Sequence, residues 1–262
     1  MNRKGALIAL AVAVLVGVVF GLLPEFDLWM SAIFFDPVTE NWILNSPLGT
    51  LMRRAAAAII ALIVAPAFVA LALKLFRPHR PMLMPGRAAL LMVATLALGP
   101  GLITNTILKD NSGRPRPIFV VQFGGDEPFF PWWDPRGACD KNCSFVAGEP
   151  SGAFWTLAPA ALTPPAWRAA AYGAALTFGV AVGFLRMAGG GHFFTDVVFA
   201  GVFTFLLIWL MHGLIYRWRP TRIEDASVEH VIEKEAMRWR RGFGWIAVRL
   251  KRGVGWAKAR KP

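Results

Sequence analysis

Five stretches of nearly unbroken apolar sequence, at about residues 6–23, 55–76, 88–108, 169–185 and 197–216, constrain this chain more than any other feature. Each approaches or reaches the ~20 residues with which an α-helix spans the ~30 Å hydrocarbon core of a bilayer. A sixth run, about 151–166, is shorter and contains prolines, yet Phe154, Trp155, Leu157 and Leu162 make it apolar enough to cross beside other helices. The expected fold is therefore all-α, a polytopic membrane helix bundle of about six transmembrane helices. Composition agrees, since 56% of the 262 residues are hydrophobic and only 17% are charged, too apolar for a soluble domain of this length. No internal repeat or low-complexity linker divides the chain. The expected organisation is one transmembrane domain, 1–218, followed by a basic cytoplasmic tail, 219–262.

A formal net charge of +12 invites comparison with nucleic-acid-binding proteins, but the basic residues lie between apolar runs and in the tail rather than on one soluble domain. Zinc-finger spacing and aromatic RNA-binding signatures are absent from the sequence, so no nucleic-acid partner is expected. The charges instead set a membrane orientation. Arg3 and Lys4, then Lys74, Arg77, Arg80 and Arg87, then Arg168, then Arg217 and Arg219 mark the cytoplasmic connections. The connection from about 24 to 52 carries Glu25, Asp27, Asp36 and Glu40 without Lys or Arg, and Arg53 with Arg54 then forms a local exception. Both termini are expected in the cytoplasm, with the loop 109–150 and the turn near 186–196 together on the outer face.

The first apolar run is too long for a cleaved leader and reads as a retained signal anchor. From Met237 the tail interleaves Arg238, Arg240, Arg241, Arg249, Lys251, Arg252, Lys258, Arg260 and Lys261 with Trp239, Phe243, Trp245 and Trp256, a pattern suited to the interface of an anionic membrane. Both cysteines, Cys139 and Cys143, fall in the outer loop; a disulfide is plausible there, and two free thiols are the alternative.

Polar residues concentrate where predicted helices meet the outer surface. Directly after the third span comes Lys109-Asp-Asn-Ser-Gly-Arg114-Pro115-Arg116-Pro117. Arginine offers planar bidentate donors to phosphate oxygens and lysine a compact charge, so an anionic ligand is implied; head-group anchoring is the plainer account. Arg186-Met-Ala-Gly-Gly-Gly-His192-Phe-Phe-Thr-Asp196 opens the last span. His192 and Asp196 lie four apart, on one helical face, which lets the carboxylate hold one imidazole nitrogen and leave the other free to attack. A polar cap with an incidental histidine is the alternative. His79, His212 and His230 lack such a setting.

Lys109, six intervening residues and Arg116-Pro117, together with Arg186, five residues, His192, three residues and Asp196, resemble the first and third signatures of the type 2 phosphatidic acid phosphatases, which share a core with vanadium haloperoxidases. Leu185 stands where a serine often precedes the arginine. The resemblance covers most of residues 50–216 and implies a haloperoxidase-like phosphatase core. His192 would form a phosphohistidine, Asp196 would hold its ring, and Lys109, Arg116 and Arg186 would bind the phosphate, with Arg114 a further possible ligand. The second signature, normally Pro-Ser-Gly-His, admits two registers: Pro150-Ser151-Gly152-Ala153 by literal match, or Val146-Ala147-Gly148-Glu149 by context. The second is preferred, because Ser144-Phe145 and Ala153-Phe154 flank it as the family's residues do. Gly148 then joins the phosphate site and Glu149 takes the slot of the histidine that protonates the leaving group. A glutamic acid can do so if burial raises its pKa. Ala147 replaces the phosphate-donating serine, for which Ser144 or Ser151 could substitute.

No ligand cluster for a metal is present in the sequence, and no cofactor is expected. The implied activity is hydrolysis of a phosphomonoester or pyrophosphate of an envelope lipid in a bacterial inner membrane, lipid A phosphate being weakly favoured over undecaprenyl pyrophosphate, phosphatidic acid or phosphatidylglycerol phosphate. A lipid-to-lipid phosphotransferase is the nearest alternative. A non-catalytic lipid-phosphate binder or an anion transporter belongs to another class, and transport would call for a pair of broken helices near the midplane that the sequence does not show. The sequence sets no oligomeric state.

Overall fold

The structure, a computed structural model, describes residues 1–258, with the backbone alone for 242–258. Among the described residues nine α-helices follow in order: α1 (Arg3–Leu22), α2 (Glu25–Ala32), α3 (Pro47–Phe76), α4 (Gly86–Leu96), α5 (Gly148–Phe154), α6 (Leu157–Leu162), α7 (Pro165–Ala188), α8 (Phe194–His212) and α9 (Asp225–Lys258). A short hairpin, β1 (Phe35–Asp36) against β2 (Asn41–Trp42), joins α2 to α3. Among the described residues, five helical segments are long and apolar enough to cross a membrane: Arg3–Leu22, Pro47–Phe76, Gly86–Leu108, Pro165–Ala188 and Phe194–Arg217.

These are the five apolar runs of the sequence. The sixth expected span is instead two short helices, α5 and α6, broken at Trp155 and Thr156. Both pack against α7, and nearly every residue from 150 to 161 is buried by protein rather than left for lipid. Trp155, with no exposed surface, donates its indole N–H to the Met92 carbonyl at 3.1 Å and to Thr95 Oγ1 at 3.0 Å. An enclosed broken segment is tolerated at membrane depth because neighbours satisfy its polar groups.

Backbone contacts separate the chain into two compact units, Met1–Ala65 with Leu91–Arg222, and Pro66–Leu90 with the chain from Ile223 onward. The boundary within α3 falls at Pro66, which removes one helical hydrogen bond. In the second unit, buried Lys74 lies 3.4 Å from Glu229 and 3.6 Å from Glu233, Arg87 pairs with Asp225 at 2.8 Å, and Gly86 leaves room for Val228. The tail side chains from Phe243 to Lys261 invoked for a membrane interface lie outside the described ones.

The first unit carries the polar cluster, and three local features position it. After α4 the helix widens into a π-helix, Ala97–Leu108, around Pro100; the missing proline N–H is absorbed by i→i−5 bonding, and Lys109 N–H reaches the Thr104 carbonyl at 3.1 Å. The loop 139–144 is laced onto 109–114 by three backbone bonds, Cys139 to Gly113, Cys143 to Lys109 and Ser144 to Arg114, at 3.1, 3.0 and 2.8 Å. Cys139 and Cys143 are joined as a disulfide within this loop. Finally, Leu44 N–H bonds to the Ala188 carbonyl and Ile118 N–H to the Gly190 carbonyl, fixing the end of α7.

Candidate active site

His192 lies between α7 and α8 and is 1% exposed. Its Nδ1 is 2.7 Å from the Ser144 carbonyl oxygen. A carbonyl only accepts, so Nδ1 carries the proton and the lone pair of the neutral ring is on Nε2. Burial pushes the His192 pKa down to about 4, and the charges of Arg186 and Lys109 act in the same direction; the ring is neutral at physiological pH. Asp196 does not hold the imidazole directly as the i, i+4 spacing implies. Its Oδ2 is 3.7 Å from Nδ1, accepts instead from the Ser144 hydroxyl at 2.5 Å and the Phe193 N–H at 2.8 Å, and so fixes the residue whose carbonyl orients the ring. Geometry explains the difference: the carboxylate closes the first turn of α8 as a cap, and reaching N3 to N-cap draws it back from the histidine.

Behind Asp196 stands a buried network. Arg114, fully enclosed, donates from Nη1 to Asp196 at 2.6 Å and Thr195 Oγ1 at 2.9 Å, from Nη2 to Asp27 at 2.8 Å, and from Nε to the Phe130 carbonyl at 2.9 Å. Asp27 also accepts from the Thr195 N–H and hydroxyl at 3.0 and 2.5 Å; burial raises its pKa against the pull of Arg114. The guanidinium stacks 4.2 Å from the Phe193 ring centroid. Arg114 is thus committed to structure and is not a phosphate ligand. Ser144 and Ser151 are likewise occupied. Ser144 serves Asp196, and Ser151 lies 3.0 Å from Thr104 Oγ1 and 2.8 Å from Thr204 Oγ1 in the bundle interior.

The remaining cations gather on the other side of His192. Lys109 Nζ donates to Asn142 Oδ1 at 3.1 Å and Arg116 Nη2 to the Asn142 carbonyl at 2.8 Å. Burial, with Arg116 and Arg186 nearby, pushes the Lys109 pKa down to about 8; burial and Arg53 lower that of Arg116. Arg186 is buried, and its Nε has no hydrogen-bond partner. Gly148 lies where a Cβ would come 2.5 Å from Asn105 and 3.1 Å from Lys109 Nζ, and a Cβ on Gly191 would collide with the Arg186 guanidinium. Only glycine lets the backbone approach these cations so closely.

Glu149, from the context-based register, lies at the rim of this cluster, while Ser151, from the literal register, lies in the bundle interior. Its partner was not foreseen: Arg53 of α3 grips the carboxylate from Nη2 at 2.5 Å and Nε at 2.9 Å, and Arg186 Nε stands 3.8 Å away. Burial would raise the Glu149 pKa, but the Arg53 hydrogen bonds and the charges of Arg186 and Arg53 outweigh it and hold the carboxyl below its ordinary range. The condition that burial raise the pKa of this acid is therefore not met in the structure, and the carboxyl is ionised here. The only sequence sign of Arg53 was its break in the charge bias; Asp27 gave none beyond being acidic. Among the described residues no group of His, Cys, Asp and Glu is placed to hold a metal.

Comparison with known proteins places the chain in a family. The PAP2 superfamily model matches residues 88–223, just over half of the chain. A lipid A 4'-phosphatase of Francisella tularensis subsp. novicida is 44% identical over 133 residues, covering 50% of this chain and 60% of that protein. A protein of the same name from Rhizobium leguminosarum is 38% identical over 114 residues, 43% and 49% of the two chains, and one from Rhizobium etli 34% identical over 105 residues, 40% and 41%. The chain thus spans about half the length of these relatives. No solved structure matches. With five apolar helices long enough to span a bilayer and a family match that encloses both signatures, this multi-pass membrane protein belongs to the PAP2 superfamily.

Proposed function

We propose that the chain is a lipid phosphatase that removes a phosphomonoester from a lipid A type glycolipid through a phosphohistidine on His192. The observation that carries this reading is a buried neutral histidine, its tautomer set by the Ser144 carbonyl, under the charges of Arg186 and Lys109, with Arg116 beside Lys109. The names of the three relatives supply the substrate class. Nε2 attacks phosphorus, the P–O bond to the lipid breaks, and the cations stabilise the charge on the equatorial oxygens. Water then attacks the phosphohistidine, releasing inorganic phosphate and the free ring.

The leaving alkoxide needs a proton, and Glu149 supplies it once substrate is bound. Its side chain and that of Arg53 are 39% and 40% exposed, so their ion pair contributes at most about 1 kcal/mol. A dianionic phosphate competes for Arg53 and Arg186 and places a like charge beside the carboxylate. Both changes favour the protonated acid. After cleavage the Glu149 carboxylate takes a proton from the attacking water. The site faces the periplasm, both termini are cytoplasmic, and 219–262 forms a basic tail on the anionic inner leaflet; the loop and charge pattern support this.

The test is phosphate release by the purified full chain in detergent from bisphosphorylated lipid A, phosphatidic acid and undecaprenyl pyrophosphate. Lipid A should be turned over fastest and His192→Ala should release nothing. Preference for another lipid would overturn the substrate, transfer of the phosphoryl group to a lipid acceptor would make it a phosphotransferase, and binding without turnover would leave a non-catalytic lipid-phosphate binder.

A further inference from the structure

A second polar site lies at the opposite end of α7. Arg168 and Arg186 are eighteen residues apart on that helix, about 27 Å along its axis, so one guanidinium stands near each surface of a bilayer ~30 Å thick. Around Arg168 is a cavity of about 510 Å³, lined also by Asn2, Gly5, Leu157, Tyr172 and Phe205. The Tyr172 hydroxyl is buried without a hydrogen-bond partner, and so is Nε of Arg217. Arg168 and Arg217 both act electrostatically on that hydroxyl. Arg168 spends two N–H groups on the Thr163 carbonyl, at 3.2 and 3.0 Å, which holds its fork in place and leaves other donors of the guanidinium. Buried polar groups without partners are costly and rare in native structures. Here the Tyr172 hydroxyl and the Arg168 guanidinium share one cavity wall, Arg217 acts from outside that lining with its Nη2 on the Trp209 carbonyl at 3.3 Å, and no carboxylate lines the cavity among the described residues.

The cavity does not end blindly. It shares Gly5, Leu157, Leu176 and Phe205 with a groove of about 400 Å³ whose walls are apolar throughout. This groove follows α1 from Gly5 past Ala9 to Val12, and α8 from Phe205 past Gly201 to Val198. Seven residues of helix make it about 10 Å deep, a large part of one leaflet's hydrocarbon thickness. Small residues open it, since a Cβ on Gly5 would come 3.1 Å from Phe205 and one on Gly201 3.0 Å from Phe154.

We infer that this cavity and groove together bind an anionic phospholipid, its phosphate against Arg168 and the Tyr172 hydroxyl and one acyl chain along the α1–α8 groove. The ligand is a single molecule because the anion site and the apolar groove are continuous. It is anionic because the amine of a zwitterionic head group finds no carboxylate in the cavity. This site is independent of the cluster around His192.

Native mass spectrometry of the full chain, purified in mild detergent and exposed to equimolar phosphatidylglycerol and phosphatidylcholine, tests the assignment. One phosphatidylglycerol should be retained in preference, and Tyr172→Phe should lower its occupancy several-fold without lowering the melting temperature of delipidated protein, because the hydroxyl bonds to no protein group. Ala9→Phe, which fills the groove from the lipid side, should lower occupancy as well and decides the matter if Tyr172→Phe proves unstable. Arg186→Ala should leave retention unchanged, which separates this site from the other anion cluster. Equal retention of both lipids, indifference to both α1 and α7 variants, or full displacement by millimolar inorganic phosphate would each overturn the assignment, the last by showing an anion pocket that does not need the chain.

Discussion

Two ionic clusters meet at His192 and are built on opposite principles. On one side Arg114 lies between Asp27 and Asp196, with every donor group of its fork engaged and no exposed surface on any of the three to speak of. On the other, Lys109, Arg116, Arg186 and Arg53 gather around Glu149, the Arg114-paired Asp196 acting on Lys109 and Arg116 as well, and Arg186 keeps an unpartnered Nε. The first is satisfied within the protein and therefore rigid; its use is to hold Ser144 and, through it, the histidine. The second carries a surplus of positive charge that the protein itself does not neutralise. Buried charge without a partner is expensive, and a surplus held beside the neutral His192 ring is what the proposed binding of an anionic phosphate would offset.

The sharpest way to break this contrast is to remove one arginine from each side. Arg114→Ala leaves two buried carboxylates without their cation and should destabilise the protein by about 3–5 kcal/mol, seen as a lower melting temperature in detergent. Arg186→Ala should melt close to wild type and instead lose about 10²–10³-fold in kcat/KM, the usual effect of removing a transition-state donor. The opposite pattern would show that the two clusters have been assigned the wrong way round.

A smaller and more selective effect is expected at the junction of the two, where Glu149 balances the surplus. Glu149→Gln should slow cleavage of an alkyl phosphate by roughly 10²–10⁴-fold, the range of a lost general acid, and barely affect an activated aryl phosphate. Equal slowing of both would make Glu149 a tether for Arg53 and nothing more.

The mildest change is a shift in pH dependence. Burial and neighbouring arginines bring the Lys109 pKa down to about 8, so Lys109 is charged below that pH and loses its charge above it. The kcat/KM profile should therefore fall above about pH 8, while His192, at about 4, stays unprotonated across the range. Lys109→Arg should carry the alkaline limb upward, because a guanidinium does not titrate there. An unmoved limb would assign it to another group.

The satisfied and unsatisfied clusters were not equally legible in the sequence. Lys109, Arg116, Arg186, His192 and Asp196 lie in two short segments whose internal spacing fixes their neighbours, and the apolar runs announced the helices that carry them. Contacts between distant segments left no such trace. Arg53 meets Glu149 across 96 residues and Asp27 meets Thr195 across 168, and neither arginine nor aspartate has a local pattern that announces a partner. Arg114 showed the converse: placed within a phosphate-binding signature, it resembled a ligand until its donors were found on carboxylates. The broken pass of α5 and α6 escaped because hydropathy does not distinguish a segment buried by protein from one facing lipid.

If the cation surplus serves a nucleophilic His192, the covalent phosphoenzyme should be trapped on that residue. The full chain should be mixed with phosphate-labelled lipid A, quenched in alkali within one turnover, digested and analysed for the phosphorylated peptide. The label should be found on the peptide containing His192, stable in alkali and lost in acid, and should be absent from His192→Ala, which should also release no phosphate. Turnover by His192→Ala at the wild-type rate, or label on any other residue, would contradict the account.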